Sequence, residues 1–323
     1  MSIPTMFDIL EAKKRLEGIT RLTPLINSDI LSEHSGYPVY VKCENLQRTG
    51  AFKIRGAYNT ISQLSKEDLQ AGVVAASSGN HAIAVSYVAR MLGIRACVVL
   101  PSNTAPAKQA ACRALGAELV FVGIASEERL AKANELAKQE GLSLVHPFDD
   151  YRVICGNATI GLEIMDQLPE VEQVVVQIGG GALLAGISQG LRLSGFKGRI
   201  VGVEPAIGSR MTQAFAKGYP VDAENWQPSI ADGLRTKKAG ELTYPIVRQN
   251  VDEIVTLSED EILQALNILV NECKLFVEPS SAVTVAAALS GKLEKGLKTV
   301  CLLSGGNTNI QTLAELLAPF VVD

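Results

Sequence analysis

From Gly72 to Phe148 the chain repeats one pattern: a short, almost wholly apolar run, then a longer segment with helical spacing. GVVAAS precedes HAIAVSYVARMLG, RACVVLP precedes AKQAACRALG, AELVFVG precedes SEERLAKANELAKQEG, and LSLVHPF closes the block. Short apolar runs of this kind suit strands buried on both faces, and strands joined through helices pair in parallel. The pattern predicts an α/β fold whose parallel sheet is covered by helices on both sides.

A second series follows the first. A helix around ATIGLEIMDQL leads to strand QVVVQIG, helix ALLAGISQGLRLS and strand GRIVGVEP. Strand VDEIVTLS, helices EDEILQALNILVNE and SSAVTVAAAL, and strand KTVCLLS complete it. Ahead of both series, Thr5 to Leu16 reads as an amphipathic helix, TRLTPLINS as an extended entry and VYVKCEN as a strand. Helical periodicity then runs from Phe52 through Leu64. The stretch from Met211 to Glu241 predicts a broad loop with helical pieces, and a loop of that length in a compact chain often carries function.

With 323 residues, 47% of them hydrophobic, the chain can bury a core large enough for two domains. A net charge of -4 gives no reason to expect nucleic acid or an anionic membrane as partner. The N-terminus lacks an apolar run long enough for a signal peptide or a membrane span, which suggests a cytoplasmic protein. Cys43, Cys97, Cys112, Cys155, Cys273 and Cys301 form no CxxC pair, and most sit in apolar surroundings. They read as small buried hydrophobes rather than a disulfide or metal framework.

Three separated strings carry the chemistry: TGAFKIRG at Thr49 to Gly56, IGGGALLAG at Ile178 to Gly186, and LLSGGN at Leu302 to Asn307. Lys53, flanked by Phe52 and Ile54, is a lysine shielded by apolar groups, and shielding favours the neutral amine that condenses with an aldehyde. Gly179, Gly180 and Gly181 follow an apolar strand and precede a helix, so successive backbone N–H groups can turn toward one phosphate. The spacing is neither GxGxxG nor a Walker loop. Ser304 follows another apolar strand, and its hydroxyl can partner a pyridine nitrogen without holding a full positive charge on it.

SSGNH, Ser77 to His81, lies between a strand and a helix. Asn80 offers an amide to the cofactor's phenolate oxygen, while Ser77, Ser78 and Gly79 offer donors to a substrate carboxylate. His81 is either a general base or a structural histidine. Together these groups describe the apparatus of a pyridoxal phosphate enzyme.

The sequence resembles the fold-type II pyridoxal phosphate family, in particular its serine/threonine dehydratases and serine racemases. The resemblance runs from RLTPL at Arg21 through KCENLQRTGAFKIRGA, SSGNHAIAV, HPFDDYRVICGNATIGLEI, GVEP, ADGL and EPSSA to SGGN at Ser304. It implies that Lys53 holds the cofactor covalently, Phe52 packs against it, Asn80 meets its phenolic oxygen and Ser304 its ring nitrogen. Gly179, Gly180, Gly181, Ala182 and Leu183 become the phosphate loop. Ser77, Ser78, Gly79, Asn80 and His81 close around the substrate carboxylate, and Asp232 and Glu278 are polar groups of the site. The implied architecture is a large domain of residues 1–71 and 148–323 with a small mobile α/β domain, 72–147, inserted in it. A homodimer is expected, and no appended regulatory domain.

Departures from the family pattern are Ala51 in place of the commoner serine, Ala182 in place of a fourth glycine, and GNAT in place of GQGT. Racemase-like members bind a divalent cation through a glutamate near GVEP and an aspartate six residues on. Here Glu204 is followed at that distance by Arg210, whose guanidinium cannot ligate a cation and could pair with Glu204 instead, so no metal is expected. The leading expectation is an ammonia-lyase for L-serine, L-threonine or a related β-hydroxy amino acid, in which Lys53 also takes the α-proton. Racemisation assisted by Ser78, a specialised lyase such as one for 3-hydroxyaspartate, and a catalytically silent cofactor-binding protein are the alternatives.

Overall fold

The computed structural model describes residues 3–77, 79–104, 106–124 and 126–320. The chain opens with helix α1 (Met6–Leu16), strand β1 (Leu25–Asn27), helix α2 (Asp29–Ser35), strand β2 (Val39–Cys43), and helices α3 (Lys53–Ile61) and α4 (Lys66–Ala71). The alternation then runs β3 (Val73–Ala76), α5 (Asn80–Leu92), β4 (Ala96–Pro101), α6 (Pro106–Ala114), β5 (Glu118–Val122), α7 (Ser126–Glu140) and β6 (Ser143–Leu144). Next come α8 (Tyr151–Gln167), β7 (Gln173–Gln177), α9 (Ala182–Leu193), β8 (Arg199–Pro205), α10 (Arg210–Lys217) and α11 (Thr243–Asn250). The chain closes through β9 (Glu253–Leu257), α12 (Glu259–Asn267), α13 (Pro279–Leu289), β10 (Thr299–Leu303) and α14 (Ile310–Leu317).

The strands form two sheets. One has six strands in the order β1-β2-β10-β7-β8-β9, the other four in the order β5-β4-β3-β6. All pairings are parallel except β1 with β2. Successive residues of a strand face opposite ways, so a strand that is apolar throughout feeds two cores. Val300 and Leu302 of β10 enter one cluster with Val174, Val176 and Ile200, while Cys301 and Leu303 enter another with Val175 and Val201. The smaller sheet divides in the same way, Val73 and Ala75 to one side, Val74 and Ala76 to the other. The expected α/β fold with parallel sheets is the observed one.

Local differences from the sequence reading have identifiable causes. The stretch expected as a loop from Met211 begins with helix α10, which ends at Gly218 in the left-handed region, φ 84°. Helix α11 was not anticipated, because Pro245 sits inside TYPIVRQN; it lies in the first turn, where no amide donor is needed. Helix α2 is short, yet its ends are explicit: the Ser28 hydroxyl accepts from Leu31 N–H, and Gly36 closes it at φ 81°. The EDEILQALNILVNE helix changes after Asn267 into a wider turn over Ile268–Glu272.

Helix α3 joins the two layers. Phe52 belongs to a core of the six-stranded sheet and Ile54 to a core of the four-stranded one, so Lys53 lies where the chain passes from one to the other. The helix is held against α8 by close backbone approach: a Cβ on Gly156 would stand 2.5 Å from the Arg55 carbonyl oxygen. Beside it, buried Arg55 donates to both oxygens of Glu44 at 2.8 Å and to Glu163 at 2.6 and 2.9 Å. Lys42 completes the network with a 2.7 Å bond to Glu163. Arg55 holds the buried Glu44 carboxyl below its ordinary range, against the opposing effect of burial. Replacing Arg55 by alanine strands that carboxylate, and we expect a loss of about 3–5 kcal/mol in denaturant unfolding. A loss near zero would mean that the network contributes nothing to stability.

Candidate active site

Parallel sheets collect polar loops at the carboxyl ends of their strands. Here Ser77 to Asn80 follow β3, Gly179 to Gly181 follow β7, and Ser304 follows β10. These segments and Lys53 line one cavity of about 450 Å³, within the range of small-molecule sites. The structure therefore brings Phe52, Lys53, Ser77, Gly79, Asn80, His81, the loop from Gly179 to Leu183, Asp232 and Ser304 to a single site. Ser78, named from the sequence as catalytic and substrate-binding, lies outside the described residues.

Lys53 heads helix α3. Its Nζ donates to the Pro147 carbonyl at 2.6 Å and lies 5.1 Å from the centre of the Phe52 ring. Burial pushes its pKa down to about 8, against the opposing charge of Glu278. A substantial share of neutral amine is therefore present near neutral pH. The rate at which apoenzyme captures pyridoxal phosphate should rise with pH through about 8 and level off above it. Stopped-flow absorbance reads this directly, and a flat profile would contradict a depressed lysine.

The glycine loop has the geometry of an anion cradle. The Ile178 and Gly179 carbonyls face the Arg210 guanidinium, and the Gly180 carbonyl accepts from Gly240 N–H at 3.0 Å and Thr243 Oγ1 at 2.7 Å. Among the described residues no acceptor takes up the amide N–H of Gly179, Gly180 or Gly181. Gly181 has φ +101°, and a Cβ there would meet Thr243 Oγ1 at 2.5 Å; one on Gly180 would fall on the Phe148 ring. Only glycine fits these positions, and the uncommitted amides suit a phosphate. Ala182, at the first position of α9, has ordinary helical surroundings, so its difference from a fourth glycine is tolerated there.

Around the rest of the cavity the polar groups are interlocked. Asn80 donates to Glu278 Oε1 at 2.8 Å and accepts from Asn307 at 2.9 Å. Burial, then the charge of Asp232, raises Glu278 to about 7, while Lys108 opposes the rise. Asp232 is bonded to Lys108 of α6 at 2.7 Å, a link between the short turn Asp232–Leu234, which lies between α10 and α11, and a helix of the smaller sheet. Ser304 is buried with its Oγ 3.4 Å from that of Ser281, whose hydroxyl in turn donates to the Gly305 carbonyl at 2.6 Å. The Ser77 hydroxyl accepts from Gly79 N–H at 3.1 Å. His81 Nε2 donates to the Val145 carbonyl at 2.9 Å, and burial, helped by Lys53, depresses its pKa to about 3, leaving a neutral ring.

Several residues escaped the sequence reading. Lys108 faces the cavity from a distant segment and carries no local motif, while Phe148 and the Pro147 carbonyl stand in the quoted HPFDD string but had been given no role. Asn307 stands in the quoted SGGN string but had been given no role. Ala51 is fully buried and forms a backbone bridge with Gly305. Among the described residues no group of three or more His, Cys, Asp and Glu side chains is placed to hold a metal ion. The expected Glu204–Arg210 pairing is present at 4.0 Å, with the closer bonds of Arg210 going to backbone carbonyls. All six cysteines are free thiols, Cys273 half-buried and the others buried.

A lysine whose pKa burial lowers to about 8, three uncommitted glycine amides and a buried hydroxyl around one cavity fit pyridoxal phosphate. Residues 16–305 match the family described as pyridoxal-phosphate dependent enzyme, and the chain belongs to that family. Its sequence is 44% identical to an L-threonine ammonia-lyase of Geobacter sulfurreducens over 95% of this chain and 76% of that one. It is 37% identical to the L-threo-3-hydroxyaspartate ammonia-lyase of Saccharomyces cerevisiae over 98% of both. The structure of maize serine racemase superposes with a TM-score of 0.92 at 32% identity, covering 99% of this chain and 98% of that one.

Proposed function

We propose that the chain is an L-threonine and L-serine ammonia-lyase, which eliminates the β-hydroxyl and releases a 2-oxo acid and ammonia. The observation that carries this reading is the depressed Lys53 amine in the same cavity as a ring-nitrogen partner that is a serine, not a carboxylate. When bound, pyridoxal phosphate supplies an electron sink that acidifies the substrate's α-carbon. Lys53 would hold the cofactor and, once its amine is free, would take the α-proton; a pKa lowered to about 8 suits it both to accept and to return that proton. Ser304 bonds the ring nitrogen without fixing a positive charge there, which suits a path that ends quickly in loss of a leaving group. Asn80 would meet the ring's oxygen, and Ser77, Gly79 and His81 would face the substrate carboxylate. Glu278 and Asp232 hold Asn80 and Lys108 in place at the rim.

The reading includes the two-domain division, 72–147 against 1–71 with 148–323. The 2.7 Å Lys108–Asp232 pair then ties the two together over substrate and excludes water. It also includes a homodimer in the cytoplasm. Purified holoenzyme is given L-threonine, L-serine and L-threo-3-hydroxyaspartate, and 2-oxo acid, ammonia and enantiomers are measured together. Equal amounts of 2-oxo acid and ammonia from L-threonine or L-serine support the proposal. Product from hydroxyaspartate alone would move the chain to the specialised lyases, and D-amino acid without 2-oxo acid would make it a racemase. No turnover with a loaded cofactor would leave a binding protein.

A further inference from the structure

Resting on the proposal that the glycine loop takes the cofactor's phosphate, we infer that Arg210 is the positioning residue that gives this loop its anion-binding form. The argument starts from the peptide unit. In a trans peptide the carbonyl of one residue and the N–H of the next point in opposite directions, and the chain contains no cis peptide among the described residues. Turning the Ile178, Gly179 and Gly180 carbonyls away from the cavity therefore turns the N–H groups of Gly179, Gly180 and Gly181 into it. Arg210 fixes two of these three carbonyls, through Nη1 at 2.9 Å to Ile178 and 3.4 Å to Gly179.

The guanidinium is itself held from behind. Its Nε donates to the Gly208 carbonyl at 3.2 Å, and Glu204 lies 4.0 Å away. Both side chains are within 1% of full burial. The Glu204 carboxylate is already satisfied by Met211 N–H at 3.2 Å, and by Thr212 N–H and Oγ1, each at 2.8 Å. It therefore neutralises Arg210 at short range without drawing it off the loop. Sequestering an arginine and a glutamate completely is costly unless their bonds are used. Here one guanidinium nitrogen, Nη1, donates to two consecutive carbonyls while Nε, on the same rigid plane, is anchored on Gly208. The retained positive charge also lies on the protein side of a loop that receives a dianion.

The test compares cofactor affinity of wild type, R210A and R210K after removal and re-addition of pyridoxal phosphate. Quenching of Trp226, the single tryptophan, gives the dissociation constant, with equilibrium dialysis as a second readout. Pyridoxal, which lacks the phosphate, is titrated in parallel. R210A should weaken pyridoxal phosphate by at least about tenfold, the worth of a charge-assisted hydrogen bond, and leave pyridoxal within about twofold. Guanidinium ion at non-denaturing concentration should restore part of the loss, and sodium at equal ionic strength should not. R210K keeps the charge without the fork and should fall between the two; if R210A does not fold, R210K against wild type carries the same comparison. Equal weakening of both ligands, or no weakening, overturns the inference. A wild type that fails to bind pyridoxal phosphate overturns the proposed function instead.

Discussion

Lys53→Ala is expected to lower turnover of L-threonine by about 10⁴-fold, the upper end of what a positioned acid–base group contributes. The variant removes the amine that, in the proposed mechanism, both holds the cofactor and carries the α-proton. Its second signature is spectroscopic: the visible band of the loaded enzyme should be lost, because no amine remains to form the link. The fold should not suffer. Among the described residues Lys53 Nζ makes a single hydrogen bond, to Pro147, and its ammonium form is disfavoured by burial, so the melting temperature of the apoprotein should stay equal or rise. Residual activity within about tenfold of wild type would transfer the proton step to another residue, a result that pairwise substitution at Glu278 would then follow.

The second large effect is expected from Gly180→Ala. The new methyl group would fall on the Phe148 ring, and that ring has little freedom to leave. It stands edge-on to His146 at 4.8 Å, whose Nδ1 accepts from the amides of Phe148 and Asp149 at 3.3 and 2.7 Å. The loop must therefore move, taking its amide groups out of alignment. A cost of about 1–3 kcal/mol for overpacking corresponds to about a 5- to 150-fold loss of cofactor affinity. The double variant with Phe148→Ala should regain much of that loss, measured as the dissociation constant of pyridoxal phosphate. Unchanged affinity in the single variant would separate this loop from phosphate binding.

How much of this could be read from the sequence differs from one group to another, for physical reasons. The glycine loop was legible because its function belongs to the backbone, and backbone freedom is written locally as three adjacent glycines. Lys53 and Ser304 gained meaning from one another across 251 positions, an inference from a recurring set rather than from either residue. Lys108 was not legible, and Phe148 and the Pro147 carbonyl only as members of the HPFDD string, because what each does comes from tertiary approach alone. Arg210 was half legible: its charge ruled it out as a cation ligand, but nothing local showed that its Nη1 would reach back to Ile178 and Gly179. Among the helices, α10 and α11 were hidden by loop-like composition and by Pro245, whereas the apolar strands announced themselves by running without a polar interruption.

The central strands β3, β4, β7, β8 and β10 spend both of their faces on packing, while Lys53, Asn80, the glycine loop and Ser304 project from segments at a strand's end or from the start of α3. Stability and selectivity are thereby written in different parts of the chain. A lineage can exchange one β-hydroxy amino acid for another by editing the rim, with no compensating change in the interior. The scaffold is, in this sense, indifferent to its substrate, and selection on metabolism need not pass through selection on folding.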